Sequence, residues 1–147
     1  MTSYAALRIG SLEILAALAA FAVLAARLQP GIVGDRRLPR ALQVRLRIRE
    51  AGGRPARDVA LALQEGAPAV IGRSSQAQVG VSDAEVSRRH AQVELERGVL
   101  YLADCGSSNG TFLNGKPVDG DGIELRAGDD IDVGNTRISV VETEPLS

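Results

Sequence analysis

Three short stretches of this 147-residue chain hold side chains suited to binding an anion. Gly72-Arg73-Ser74-Ser75 follows an apolar run, and Val86-Ser87-Arg88-Arg89-His90 leads into another. The third, Asp104-Cys105-Gly106-Ser107-Ser108-Asn109-Gly110-Thr111, is polar throughout and rich in turn formers. Pooled, Arg73, Arg88, Ser87, Ser108 and Asn109 supply guanidinium forks, hydroxyl donors and one amide. A guanidinium meets two oxygens of a phosphate at once, hydroxyls add donors, and an amide can grip a peptide main chain. That equipment fits a phosphate monoester carried on a peptide, the kind of ligand that Arg-bearing loops recognise.

Other chemistries are weaker. Ser87, His90 and Asp104 hold the residue types of a hydrolytic triad. However, a Ser and a His three apart at the start of a strand rarely meet productively, and Ser87 does not sit in a Gly-x-Ser-x-Gly elbow. Asp119, Asp121, Asp129, Asp130 and Asp132 lack the order and closing Glu of a calcium loop, so they read as turns and solvated faces. The single Cys105 excludes an internal disulfide and a cysteine-based metal cluster; it reads as a small filler beside Gly106. No catalytic residue, metal or cofactor is expected, and the chain is read as a binding module, not an enzyme.

The elements that must position these loops are strands. Val44, Leu46 and Ile48 alternate with Arg45, Arg47 and Arg49, the period of a half-buried strand. The basic face reads as a wet sheet surface; a nucleic-acid stripe is the alternative. Further short runs follow at Val59–Leu63, Ala69–Ile71, Gln78–Val81, Ala91–Glu96, Val99–Ala103, Thr111–Leu113, Ile123–Arg126, Ile131–Val133 and Arg137–Val141. Gly98, Asn109-Gly110, Asn114-Gly115, Gly128 and Gly134-Asn135 separate them, as tight turns require. With 3% aromatic residues and no Trp, the core must be aliphatic. Many short strands with Gly/Asn turns and no helical period predict an all-β sandwich over residues 42–143.

The first part of the chain differs. Up to residue 50 there are eight Arg and three acidic residues, whereas from 51 onward nine basic residues face fifteen acidic ones. Residues 9–28 are apolar and Ala-rich, long enough at ~1.5 Å per residue to cross a bilayer core of roughly 30 Å. Arg27, Arg36, Arg37 and Arg40 follow the run and only Arg8 precedes it, the reverse of a signal peptide. By the positive-inside rule the segment after it is cytoplasmic. The expectation is a membrane anchor over 1–28, a Pro/Gly-bearing basic linker over 29–41, the sandwich over 42–143 and a tail over 144–147.

Gly72-Arg73, Ser87-x-x-His90, Asp104-x-Gly106-Ser107-x-Asn109-Gly110-Thr111, Asn114-Gly115, Leu125-x-x-Gly128-Asp129 and Gly134 together resemble the forkhead-associated (FHA) domain. The resemblance implies an eleven-stranded β-sandwich that binds phosphothreonine peptides through loops at one end. It implies that Arg73 and Ser87 grip the phosphate, with Arg88 able to add a contact. Ser108 stands where Thr is frequent and touches phosphate or nearby backbone, and Asn109 binds the peptide main chain. Gly72, His90, Gly110 and Thr111 are implied to be loop architecture, and Asp104 and Gly106 help shape their loop. The residue two before Ser87, here Glu85, often selects the third side chain after the phosphothreonine; charge favours an apolar or basic one. Alternation points Arg89 away from the site.

The expected function is a membrane-tethered adaptor. Its expected partner is a phosphothreonine-containing protein, phosphorylated by a serine/threonine kinase; no nucleic acid is involved. A phosphate-independent structural module of an envelope or secretion assembly is the alternative.

Overall fold

Strict alternation builds the first strand. The computed structural model describes residues 38–146. Within them Ala41–Arg49 (β1) buries Leu42, Val44, Leu46 and Ile48 and turns Arg45, Arg47 and Arg49 outward. The other strands are Arg57–Gln64 (β2), Ala69–Gly72 (β3), Val79–Gly80 (β4), Ala91–Glu96 (β5) and Val99–Asp104 (β6). Thr111–Leu113 (β7), Lys116–Val118 (β8), Ile123–Leu125 (β9), Asp130–Val133 (β10) and Thr136–Pro145 (β11) complete them. The described residues are thus all-β, with the eleven strands that the resemblance implied.

The strands form two sheets, in the orders β2-β1-β11-β10-β7-β8 and β4-β3-β5-β6-β9. Between them lies the aliphatic core, which includes Leu46, Ile48, Leu63, Ile71, Leu95, Leu102, Ile131 and Ile138, each less than 2% exposed. Each buries a face that alternation had marked, and area removed from water at ~25 cal/mol per Å² is the main stabilising term. The long β1–β11 pair slips register between Arg45 and Leu46, and Val141 of β11 is the unpaired, exposed residue of that bulge.

Two of the three outward arginines of β1 are matched across the ladder, and Arg49 stands opposite Arg137. Arg45 stands opposite Glu142 at 3.1 Å and Arg47 opposite Asp58 at 2.8 Å. On the next hairpin Arg137 stands opposite Asp132 at 2.7 Å. Cross-strand neutralisation of this kind describes a solvated sheet surface and leaves little net charge for a phosphate backbone.

Strand polarity sorts the connections to two ends. Ile71 pairs with Ala91, Ala91 with Asp104, Thr111 with Val133, and Arg49 with Arg137. The segments after β3, before β5 and between β6 and β7, and the β10–β11 turn, therefore gather at one end. Leu38 and Pro39 pack near Gly98, at the opposite end. The expected anchor over 9–28 and most of the linker lie outside the described residues. Among the described residues no helix is long and apolar enough to cross a membrane.

Candidate anion-binding site at one end of the sandwich

The site begins with a missing side chain. A Cβ on Gly72 would lie 2.2 Å from the carbonyl oxygen of Arg88, so only glycine lets the 87–88 backbone lie against the end of β3. Once that backbone is seated, Arg73 N donates to Ser87 O at 3.0 Å and Ser74 N donates to Arg88 O at 3.2 Å. The Arg73 side chain is braced by one bond, from Nε to Val86 O at 3.2 Å. Arg73, Arg88 and Arg89 are exposed and make no ion pair among the described residues. Arg45, Arg47, Arg54, Arg57, Arg126 and Arg137 pair with carboxylates, while Arg40, Arg49 and Arg97, also without an ion pair among the described residues, lie outside these loops. Uncompensated guanidiniums at one end of a chain of net charge −1 make that end the place for an anion.

The 105–110 loop is wound around Asp104. Its Oδ1 accepts the hydroxyls of Ser107 and Thr111, both at 2.6 Å, and its Oδ2 accepts the N–H groups of Gly106 and Ser107, both at 2.9 Å. Burial alone would raise this carboxyl, but the four donors, led by Ser107 and Thr111, outweigh it and hold it below the usual range. Ser107 Oγ also accepts Gly110 N at 2.9 Å, so this hydroxyl is turned inward and consumed. Thr111 is buried, and Gly110 adopts φ +83°, which its lack of a side chain permits.

That winding leaves Ser108 and Asn109 exposed at the tip. Ser108 N donates to Ser87 Oγ at 3.2 Å, which joins the two loops directly. Asn109 Nδ2 donates to Glu85 O at 2.8 Å and to Glu85 Oε2 at 3.0 Å. The structure therefore brings Arg73, Ser87, Ser108 and Asn109 into one connected cluster, with Arg88 beside it through its main chain.

His90 is fully buried beneath the cluster. Its Nδ1 accepts Ser87 N at 3.1 Å, which leaves Nε2–H to donate to Gly110 O at 2.9 Å. The ring thus pins two loops at once, and both its nitrogens are occupied. No triad forms, because Ser87 meets the imidazole through its amide and Asp104 faces its own loop. Arg89 lies beside Cys105, whose thiol is pushed up by burial against the pull of that guanidinium. Among the described residues no three His, Cys, Asp or Glu side chains converge as a metal set.

The family model for the FHA domain matches residues 69–134, the span that contains every loop of this cluster. A solved domain from a structural and functional analysis of phosphothreonine-dependent FHA domain interactions is 36% identical, with a TM-score of 0.56. That alignment covers 71% of this chain and 99% of the solved one. The chain belongs to the FHA domain family.

Two other FHA relatives are informative. The FhaA FHA domain, solved in complex with the intracellular domain of Rv3910, is 35% identical with a TM-score of 0.54, over 69% of this chain and 99% of that one. The glycogen accumulation regulator GarA of Mycolicibacterium smegmatis is 41% identical over 76 residues, 52% of this chain and 46% of GarA. The match therefore spans about half the length of that curated relative.

Sequence reasoning missed one carboxylate and one strand. Asp83 joins Glu85 and Val86 to Asn135 and Thr136; it sits in a Ser-Asp-Ala-Glu stretch that resembles any polar turn. The short β8 escaped notice because Lys116-Pro117-Val118 shows no alternation, although Asn114-Gly115 before it marks the hairpin.

Proposed function

We propose that this FHA domain reads phosphothreonine on a partner protein and that the chain holds it at the cytoplasmic face of a membrane as an adaptor. The observation that carries the reading is the single cluster of Arg73, Ser87, Ser108 and Asn109, in which the Arg73 guanidinium pairs with no carboxylate among the described residues. Arg73 Nε is spent on bracing, which leaves its terminal nitrogens to fork onto a phosphate, a charge-assisted contact. Ser87 Oγ accepts from Ser108 and still has a proton to donate. Asn109 is exposed and its carbonyl oxygen is available for a peptide N–H. Arg88 adds a second positive charge.

The tether rests on the apolar run over 9–28 and the arginines that follow it. The described part of the chain begins at the end of the sandwich opposite the cluster. Tethering raises the effective concentration of nearby partners and lets a modest peptide affinity suffice. The partner would be a substrate of a serine/threonine kinase.

The test uses the full chain in detergent micelles and a phosphothreonine peptide library, with an Arg73→Ala variant as comparison. The reading expects phosphate-dependent capture that the variant loses. Capture of unmodified peptides to the same extent would favour a phosphate-independent interaction module. For the tether, a reporter fused after Ser147 should be active in the cytoplasm; activity only on the outer side would overturn it.

A further inference from the structure

We propose that Asp83, held by the β10–β11 turn, is the positioning residue of this site and makes that turn its fourth loop; the proposal rests on the phosphopeptide reading above. Asp83 Oδ1 accepts Glu85 N at 3.0 Å, and its main-chain carbonyl accepts Val86 N at 3.1 Å. Its Oδ2 reaches across 52 residues of sequence to Asn135 N at 2.7 Å and accepts the hydroxyl of buried Thr136 at 2.9 Å. One carboxylate therefore fastens the 83–87 segment to the end of the large sheet.

The turn approaches closely enough to act as a template. A Cβ on Gly134 would lie 2.9 Å from Glu85 Cβ and 3.1 Å from Asp83 Oδ2. Gly72 presses on the same segment from the other side, against Arg88 O. The segment between these glycines presents three groups that the binding residues use. Glu85 O holds Asn109 Nδ2, Val86 O holds Arg73 Nε, and Ser87 Oγ holds Ser108 N. The Asp83 carboxylate bonds none of Arg73, Ser87, Ser108 and Asn109 itself, so it acts by aiming those three groups.

A residue of purely structural importance would do the same to stability without touching recognition, and the far end of the sandwich supplies that control. Asn114 bridges the β7–β8 turn to Asp129 and Asp130 with the same kind of network, at 2.8 and 2.9 Å. The experiment measures affinity of the full chain, in detergent micelles, for the phosphothreonine peptide it selects best from a randomised library. Thermal midpoints are recorded in parallel. Asp83→Ala should weaken binding by about tenfold or more, the size of a lost hydrogen-bonded carboxylate. Thr136→Val should weaken it in the same direction, Thr136→Ser should restore it, and Asn114→Ala should lower the midpoint and leave affinity unchanged. Unchanged affinity in Asp83→Ala, or an equal loss in Asn114→Ala, overturns the proposal.

If the wild-type chain selects no phosphopeptide, the functional reading fails and the positioning claim is still read by NMR. The Asn109 side-chain amide signals should then shift in Asp83→Ala and Thr136→Val and stay in place in Asn114→Ala. Unshifted signals in the first two overturn it.

Discussion

Ser87 Oγ accepts the main-chain N–H of Ser108 at 3.2 Å, across 21 residues of sequence. This bond makes two loops one surface, and it places a hydroxyl between an arginine on one side and an asparagine on the other. Ser87→Ala should thus cost more than a lost ligand contact, because Ser108 N also loses its acceptor. A loss of phosphopeptide affinity by about tenfold, one to two hydrogen bonds in size, is expected by titration calorimetry. Ser87→Thr keeps the hydroxyl and should retain most of the binding.

Arg73→Ala removes a guanidinium that leaves no paired carboxylate behind among the described residues. Fold stability should therefore change little, while affinity for a phosphothreonine peptide falls by ~2–5 kcal/mol, the range for truncating a charged partner at an interface. Paired denaturation and binding measurements separate the two effects.

Gly72→Ala tests the close approach beneath the cluster. A methyl 2.2 Å from Arg88 O forces backbone to move, so the cost should reach at least ~1–3 kcal/mol of overpacking. Urea denaturation should show this loss, and phosphopeptide binding should fall with it, since Arg73 and Ser87 are bonded across the same contact.

His90→Ala should destabilise without presenting a new surface group. It orphans Ser87 N and Gly110 O, each worth about 1–3 kcal/mol when buried and unpaired. The urea midpoint reports the total.

Asp104 gives a pH dependence of defined sign. Its folded carboxyl sits below the ordinary value of 3.8, so the stabilisation is fully present above that value. It is lost as pH falls through the lower folded value. Asp83 acts in the same direction, its burial outweighed by hydrogen bonds from Glu85, Thr136 and Asn135. Asp104→Asn should flatten the fall of the urea midpoint below about pH 4. Identical acid slopes in variant and wild type would show that the loop does not depend on this carboxylate.

The sheet content was legible because burial follows period two, as in β1, and because Asn114-Gly115 and Gly98 mark turns that the backbone does adopt. The loop cluster was legible through residue types, since few sites need Arg, Ser and Asn together. What stayed hidden is tertiary. Ser107, unlike its neighbour Ser108, turns its hydroxyl inward onto Asp104, which no local pattern announces. Asp83 looked like a turn residue, and its partners Asn135 and Thr136 come from the far end of the chain. Gly134 belonged to the recognised pattern, yet its reason, contact with Glu85 and Asp83, needed coordinates.

The most direct test is affinity of the full chain for matched peptides bearing phosphothreonine, phosphoserine or unmodified threonine. The account predicts clear binding to the phosphothreonine peptide alone, lost in Arg73→Ala. Equal binding to the unmodified peptide, or undiminished binding in Arg73→Ala, would contradict it.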